Sequence, residues 1–253
     1  MPAAQVSVVI ICFNAAFTIR QTLQAARKLS DNVLVVDSGS TDDSIAIIQE
    51  EGAQLIAMEW QGFGANKNRG NQEALYDWIL SIDADEVLSD ALKNEILSLD
   101  LSDPNVAFRI KRLNYLNNQP IYHGGWKNDW TTRLFNRKVV KWDEVPVHEN
   151  LLLPNSVKIR KLHAGWLDHY TSPNIDVYNQ KLERYATLVA EKYFLKGKKG
   201  SSYKTYLSPV YSFFKSYVLY AGWLDKKAGW QIALAHARYT FKKYKKLALL
   251  RRK

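Results

Sequence analysis

The 253-residue chain has a single cysteine, Cys12, so no internal disulfide can staple it. That usage fits a reducing compartment. Cys12 sits within an apolar run, which makes it a buried thiol and not a nucleophile. Glycine and proline, 12 and 7 in number, are ordinary in usage, which excludes collagen-like and Pro/Gly-rich disordered chains. Internal repeats and low-complexity tracts are absent. The opening "MPAAQVSVVIICFN" has no charged segment ahead of its short apolar stretch, so it reads as a strand and not as a signal peptide. Long uncharged apolar runs are also missing. The aromatic-rich stretch 205–224 is interrupted by Lys215 before it reaches the ~18 residues of a membrane span. Acids are almost missing from the end of the chain. Residues 196–253 hold 15 Lys or Arg and one acid, Asp225, for a charge of +14, whereas residues 1–195 carry −4. A near-neutral body with a basic tail points to an anionic surface as partner.

What is present is a substantial core: 47% of residues are hydrophobic, enough for one large domain or one domain with an appendage. "QVSVVIICFN", "NVLVVDSGSTDD", "AQLIAM" and "ILSIDADE" read as strands that end in polar turns. "TIRQTLQAARKL", "STDDSIAIIQEEG" and "NKNRGNQEALYDW" read as the helices between them. Thr41 is placed to cap the second helix, with Asp42 and Asp43 at its positive end and Gly52 as its stop. Alternation of this kind predicts an α/β fold with a largely parallel sheet over residues 1–90. Beyond residue 100, "VAFRIKRLNYL", "RLFNRKVVKW" and "SVKIRKLH" read as strands. A long amphipathic helix is expected over 173–195, then a charged linker, then helical segments around 205–224 and 228–250. The charge break suggests a domain over 1–195 and a basic helical segment over 196–253.

The stretch "DWILSIDADEVLSD" raises a physical problem. Asp83, Asp85 and Glu86 follow directly on a buried strand, and their charge must be compensated where that strand stops. Ligands of α/β sheets sit at the carboxyl ends of strands. A spacing of two on extended chain points Asp83 and Asp85 the same way. Two hard oxygen ligands side by side suit Mg²⁺ or Mn²⁺, which also bind phosphate oxygens. An isolated D-x-D more often caps a helix, but two other strand ends carry polar loops. Asn14 follows the first strand. Asp37 ends the second, where Ser38-Gly39-Ser40 lets the backbone approach a ligand and the carboxylate can accept from a base or a sugar hydroxyl.

"SVVIICFN", "VVDSGSTDDS", "GFGANKNRG" and "DWILSIDADE" together resemble the family 2 glycosyltransferases of GT-A fold. "VPVHENL", "HYTSPNIDVYNQKLERYA" and "GWLDKKAGWQIALAHARYTFKKYKKL" resemble one branch, the lipopolysaccharide-core β-glucosyltransferases. The resemblance implies a nucleotide-sugar donor and inversion at the anomeric carbon. Asp37 would then bind the base or ribose with Asn14 lining the pocket. Asp83 and Asp85 would be the D-x-D pair, Asp85 the principal metal ligand, and Lys67 and Arg69 would approach the donor. Among Asp143, Glu144 and Glu149 the implied general base is Glu149, with Glu144 in reserve. His169 would complete the metal or phosphate site, with His163 as its alternative. Gly124, Gly125 and Trp126 look like a mobile acceptor-side loop with an aromatic platform, although Trp126 can equally be core.

The tail has its own pattern. Trp230, Leu234, Ala237, Phe241, Tyr244 and Ala248 form one helical stripe among lysines and arginines. That suits a helix lying in a membrane interface. A helix packed on the body with a solvated basic face is the competing reading. Nucleic acid ranks last because no recognition motif accompanies the charge. The reading as a whole is a cytoplasmic enzyme, peripheral on the inner face of the membrane, moving a hexose from a UDP-sugar to a lipid-linked saccharide such as lipopolysaccharide inner core. Capsule, glycoprotein or other lipid-linked acceptors remain open, as does a non-catalytic nucleotide- or polyanion-binding protein of the same fold.

Overall fold

The computed structural model describes residues 5–144, 150–198 and 201–250. In chain order the elements are β1 (Val6–Cys12), α1 (Ile19–Arg27), β2 (Val33–Asp37), α2 (Ser44–Glu50), β3 (Gln54–Ala57), α3 (Phe63–Glu73), β4 (Trp78–Asp83), β5 (Glu86–Leu88) and α4 (Asp90–Leu97). There follow β6 (Val106–Leu116), β7 (Gln119–Ile121), a 3₁₀ turn (Gly124–Trp126), β8 (Trp130–Asn136), β9 (Lys141–Trp142), β10 (Leu151–Leu152), β11 (Lys158–Lys161) and β12 (Leu167–Ser172). Helices α5 (Ile175–Leu195), α6 (Ser202–Phe214) and α7 (Lys226–Leu250) complete the chain, with a π turn over Lys215–Leu219 and a 3₁₀ turn over Gly222–Asp225 before α7.

The chain divides into two compact units, residues 1–112 with 130–169, and residues 113–129 with 170–253. In the first, β3-β2-β1-β4 are parallel neighbours, β8 extends the sheet antiparallel to β4, and β6 pairs antiparallel with β8. This is the largely parallel α/β sheet expected. Strands β1 and β2 are buried along their whole length because helices cover both faces, which is why they read as unbroken apolar runs. Val6, Val8, Ile10 and Cys12 pack on one face with Ile19, Leu23 and Ala26 of α1 and Leu92 and Ile96 of α4. Val9, Leu34, Ile79, Phe135 and Trp142 form the core of the other face. Buried, and close to Asp37, the Cys12 thiol is pushed up to about 12, in keeping with an inert cysteine.

Two local expectations are corrected. Helix α3 begins at Phe63 and not at its basic stretch, since Gly62 at φ 110° turns the chain into it, so Lys67 lies in its second turn. It also stops at Glu73: Arg137 donates to the carbonyls of Asn71 and Ala74, both at 2.6 Å, a cation at a helix C-terminus. Thr41 does not cap α2. Its N–H is taken by Asn14 Oδ1 at 2.8 Å, and Asp43 is the N-cap residue, while Asp42 Oδ1 accepts from Ser44 N–H at 3.0 Å.

In the second unit, Leu116, Ile121, Tyr178, Ala228, Ile232 and Ala235 form a core with the half-buried Trp126, Ile175 and Leu182. The division expected at 195–196 follows charge. The compact units follow packing, and packing groups α5 with α6 and α7. Much of the apolar stripe of α7 is likewise spent inside this unit: Ala237 is buried, Leu234 and Phe241 are half-buried, and Lys242 and Lys246 both pair with Glu183 of α5. Among the described residues no helix is long and apolar enough to cross a membrane.

Candidate active site

Register brings three strand ends to one edge of the first unit. Cys12 pairs with Asp37 and Ile11 with Asp83, so the chain leaves β1, β2 and β4 side by side. Asn14, just past β1 at φ 49°, ties the first two loops together: its N–H donates to Ser40 Oγ at 2.8 Å and its Oδ1 accepts from Thr41 N–H. Asp37 is 1% exposed. Its Oδ1 accepts from Gly39 N–H (2.9 Å) and Ser40 N–H (2.8 Å), and its Oδ2 accepts from Ser40 Oγ at 2.5 Å. Gly39 holds φ +87°, a left-handed conformation that favours glycine. Asp37 thus shapes the loop that follows it. Asn66 of α3 fastens the same loop by donating to Ser38 Oγ at 2.9 Å.

The charge at the end of β4 is compensated by the protein itself. Arg133 of β8 donates to Asp83 Oδ2 at 2.7 Å and to Glu86. Arg112 of β6 lies 3.1 Å from the fully buried Glu86, and Lys67 of α3 lies 3.4 Å from Asp83 Oδ1. Burial works against ionisation of Asp83, but Arg133 and Lys67 outweigh it and hold the carboxyl well below the usual carboxylate range. Lys67 is itself buried, with its ammonium 4.3 Å from the Trp142 ring centroid. Asp83 Oδ1 is buried and accepts no hydrogen bond among the described residues. The arginines were missed from sequence. The signal was there: "WTTRLFN" places one cation inside a strand whose Leu134 and Phe135 are core, and a buried cation needs carboxylate partners.

Asp85 has a different nearest partner from Asp83, although both carboxylates feel His169. β4 ends at Asp83, and residues 84–85 form a turn, pinned where Thr22 Oγ1 donates to the Ala84 carbonyl at 2.9 Å. The two-residue alternation lapses there. Asp85 Oδ2 lies 3.5 Å from His169 Nε2, which β12 brings up by pairing with β5. The Asp85 side chain is 35% exposed. Among the described residues no group of three or more His, Cys, Asp or Glu is disposed to hold a metal ion. A carboxylate beside an imidazole nonetheless suits a Mg²⁺ or Mn²⁺ ion that takes one or two protein ligands and completes its shell with phosphate oxygens and water. His163 does not join them: its N–H donates to Glu95 Oε1 and its ring packs edge-on against Trp130.

The remaining expected residues fall in three places. Glu144 Oε1 accepts at 3.3 Å from Nδ2 of Asn68, the residue after Lys67 in α3. Asp143 and Asn150 are bonded to each other in both directions. Glu149 lies outside the described residues. Arg69 points away from Asp83's cluster, to Glu73 at 2.9 Å on an exposed helix face. Gly124, Gly125 and Trp126 belong to the second unit. There Gly125 is a close-packing residue and not a mobile one: its N–H donates to Ser216 Oγ, and a Cβ on it would lie 2.8 Å from the His236 ring. Trp126 is core, stacked edge-on against Tyr178 at 5.1 Å and donating to its hydroxyl.

An α/β sheet with this strand order and these polar strand ends is the GT-A arrangement of glycosyltransferases. The chain belongs to glycosyl transferase family 2, whose family model matches residues 7–148. It is 30% identical to a glycosyltransferase of Rickettsia felis over 225 residues, covering 85% of this chain and 79% of the relative. It is 28% identical to the lipopolysaccharide core biosynthesis glycosyltransferase LpsC of Rhizobium meliloti over 249 residues, 95% of this chain and 91% of LpsC. Among solved structures it is similar to glucosyl-3-phosphoglycerate synthase from Mycobacterium tuberculosis in complex with Mg²⁺ and UDP, at 15% identity, with 78% and 80% of the two chains covered and a TM-score of 0.49.

Proposed function

We propose that the chain is an inverting hexosyltransferase that moves glucose from UDP-glucose to a lipid-linked saccharide of the lipopolysaccharide inner-core type. It works in the cytoplasm at the inner face of the membrane, with the 205–253 segment toward an anionic surface. The observation that carries the chemistry is the split environment at the end of β4. Asp83 is neutralised by Arg133 and Lys67, while Asp85 stands beside His169 and is partly exposed. Similarity to LpsC along nearly the whole chain supports the acceptor class.

In this reading, Asp37 and Asn14 hold the loops against which the nucleoside lies, and Asp83 Oδ1, buried without a hydrogen-bond donor, accepts from the donor nucleotide. Asp85 and His169 would hold a Mg²⁺ or Mn²⁺ ion, whose charge stabilises the departing diphosphate when bound. Lys67 and Arg133 add fixed positive charge at the same edge. The acceptor hydroxyl gives its proton to a carboxylate, Glu149 or, in reserve, Glu144, and attacks the anomeric carbon opposite the UDP leaving group. One displacement inverts the configuration.

The test is a thermal-shift panel of nucleotide-sugars with and without Mn²⁺, followed by measurement of UDP release. The reading expects Mn²⁺-dependent stabilisation by UDP-glucose and slow donor hydrolysis. Binding without any hydrolysis or transfer would favour a nucleotide-binding module. No stabilisation by any UDP-sugar would overturn the donor assignment.

A further inference from the structure

Helix α6 is built inside out. In water a helix turns its apolar face inward. Here the side chains turned toward the unit are mostly small and polar: Thr205 is buried and Ser208, Pro209 and Ser212 are half-buried, with Phe213 half-buried against Trp230 of α7 and Ser216 buried just past the helix. The side chains turned outward are Tyr203, Tyr206, Leu207, Val210, Tyr211 and Phe214. At about 100° per residue these six fall within a single arc of roughly 140°. Val210, at the centre of the arc, is 65% exposed. The chain keeps the same habit past the helix: Val218, Leu219, Trp223 and Leu224 are also exposed. A contiguous apolar face of this kind marks an interaction surface.

Its surroundings select the partner. Lys204 of α6 and Lys226 and Lys227 at the start of α7 are exposed, and Lys215, the residue after α6, lies 5.3 Å from the Tyr220 ring centroid. The one acid of the segment does not oppose them. Asp225 is buried and committed to the loop at 122–123, accepting from His123 N–H at 2.8 Å and sitting 3.1 Å from His123 Nδ1. Beside the stripe, α6 and α7 enclose an apolar groove of about 260 Å³, lined by Tyr206, Pro209, Ala237 and Phe241 with Arg238 and Lys242 among its lining residues. Aromatic rings with polar tips, aliphatic side chains between them and lysines at the margin are what a helix lying in a bilayer interface requires. The cations fit anionic headgroups.

We infer that α6 is the membrane-docking element of this chain, lying flat in the interface of an anionic bilayer on its Tyr203–Phe214 face, while α7 is a packing helix. This rests on the reading of the protein as a membrane-surface enzyme and assigns the contact to one face. The experiment is co-sedimentation of the full chain with vesicles of phosphatidylcholine alone or mixed with phosphatidylglycerol, with tryptophan fluorescence as a second readout. Wild type should bind the mixed vesicles, shift its emission to the blue and release as salt rises. Val210→Asp with Phe214→Asp should weaken binding more than tenfold, with circular dichroism and donor hydrolysis unchanged. Val210→Ser with Phe214→Ser serves if the charged pair fails to fold. Vesicle binding by these variants equal to wild type overturns the assignment to α6 and leaves the membrane reading standing. Wild type that ignores mixed vesicles at low salt overturns both, with donor hydrolysis still testing the enzyme separately. A stripe that instead drives self-association, lost in Val210→Asp, would make this face a protein interface and overturn the inference.

Discussion

Arg133 donates to Asp83 at 2.7 Å and at the same time to Glu86, so one buried guanidinium joins the last residue of β4 to the first residue of β5. This clamp fixes the turn that carries Asp85. Removing it leaves Asp83 with Lys67 and the buried Glu86 with Arg112, each one cation short. Arg133→Met should therefore cost about 3–5 kcal/mol, the range for breaking a buried ion pair from one side. Urea denaturation of the variant checks this. The effect should shrink at low pH, because a carboxylate held below its ordinary range contributes stability above about pH 4 and loses it as pH falls further.

A second pH dependence belongs to the other unit. Tyr178 is hydrogen-bonded to His236 Nε2 at 2.8 Å, and burial pushes the imidazole down to about 4. The unfolded chain takes up that proton near pH 6.5 and the folded chain does not, so stability is full above pH 6.5 and declines toward pH 4. The loss is on the order of 3 kcal/mol at 1.36 kcal/mol per pH unit. His236→Gln should flatten the pH dependence of unfolding between those limits, with Trp126 fluorescence as the local reporter.

Close approach of α3 to the sheet depends on Gly70. A Cβ there would stand 2.4 Å from Val9 Cγ1 and 2.9 Å from Val36 Cγ2. Gly70→Ala should destabilise by about 1–3 kcal/mol through overpacking, and Val9→Ala in the same chain should recover part of the loss. A denaturant double-mutant cycle measures both terms.

Much of this was legible in the sequence, and the reasons are physical. β1, β2 and β4 announced themselves because parallel strands covered on both faces are continuously apolar. The strand-end residues Asn14, Asp37 and Asp83 were found for the same reason: each follows such a run. What sequence could not supply was partnership. Periodicity carries no information on which cation from residues 106–136 returns to Asp83, so the Arg133 contact could not be read. Trp126 and Gly125 looked like a mobile platform because their partners, Tyr178 and His236, are distant in sequence. The stripe on α7 was read correctly as a stripe, yet the face left open to solvent is that of α6. Its inward residues are largely serine and threonine, which no amphipathic pattern would turn toward a core.

Acid-base assignment divides by kinetics. Glu149→Gln should leave donor binding intact and slow transfer by roughly 10²–10⁴-fold, the contribution of a positioned general base. Glu144→Gln should have a lesser effect, through the Asn68 contact alone. Reversal of the two moves the role to Glu144, and full activity in both removes it from this loop.

The most direct test of the account is Mn²⁺-dependent binding of UDP-glucose to Asp85→Asn, read by thermal shift beside wild type. Asp85 is 3.5 Å from His169 and lies outside the Arg133 clamp, so the substitution should leave the melting temperature of the free protein unchanged. The account predicts that wild type is stabilised by UDP-glucose only when Mn²⁺ is present, and that Asp85→Asn loses this stabilisation together with sugar transfer. An Asp85→Asn protein that binds Mn²⁺ and UDP-glucose as wild type does, and transfers at the wild-type rate, would contradict it.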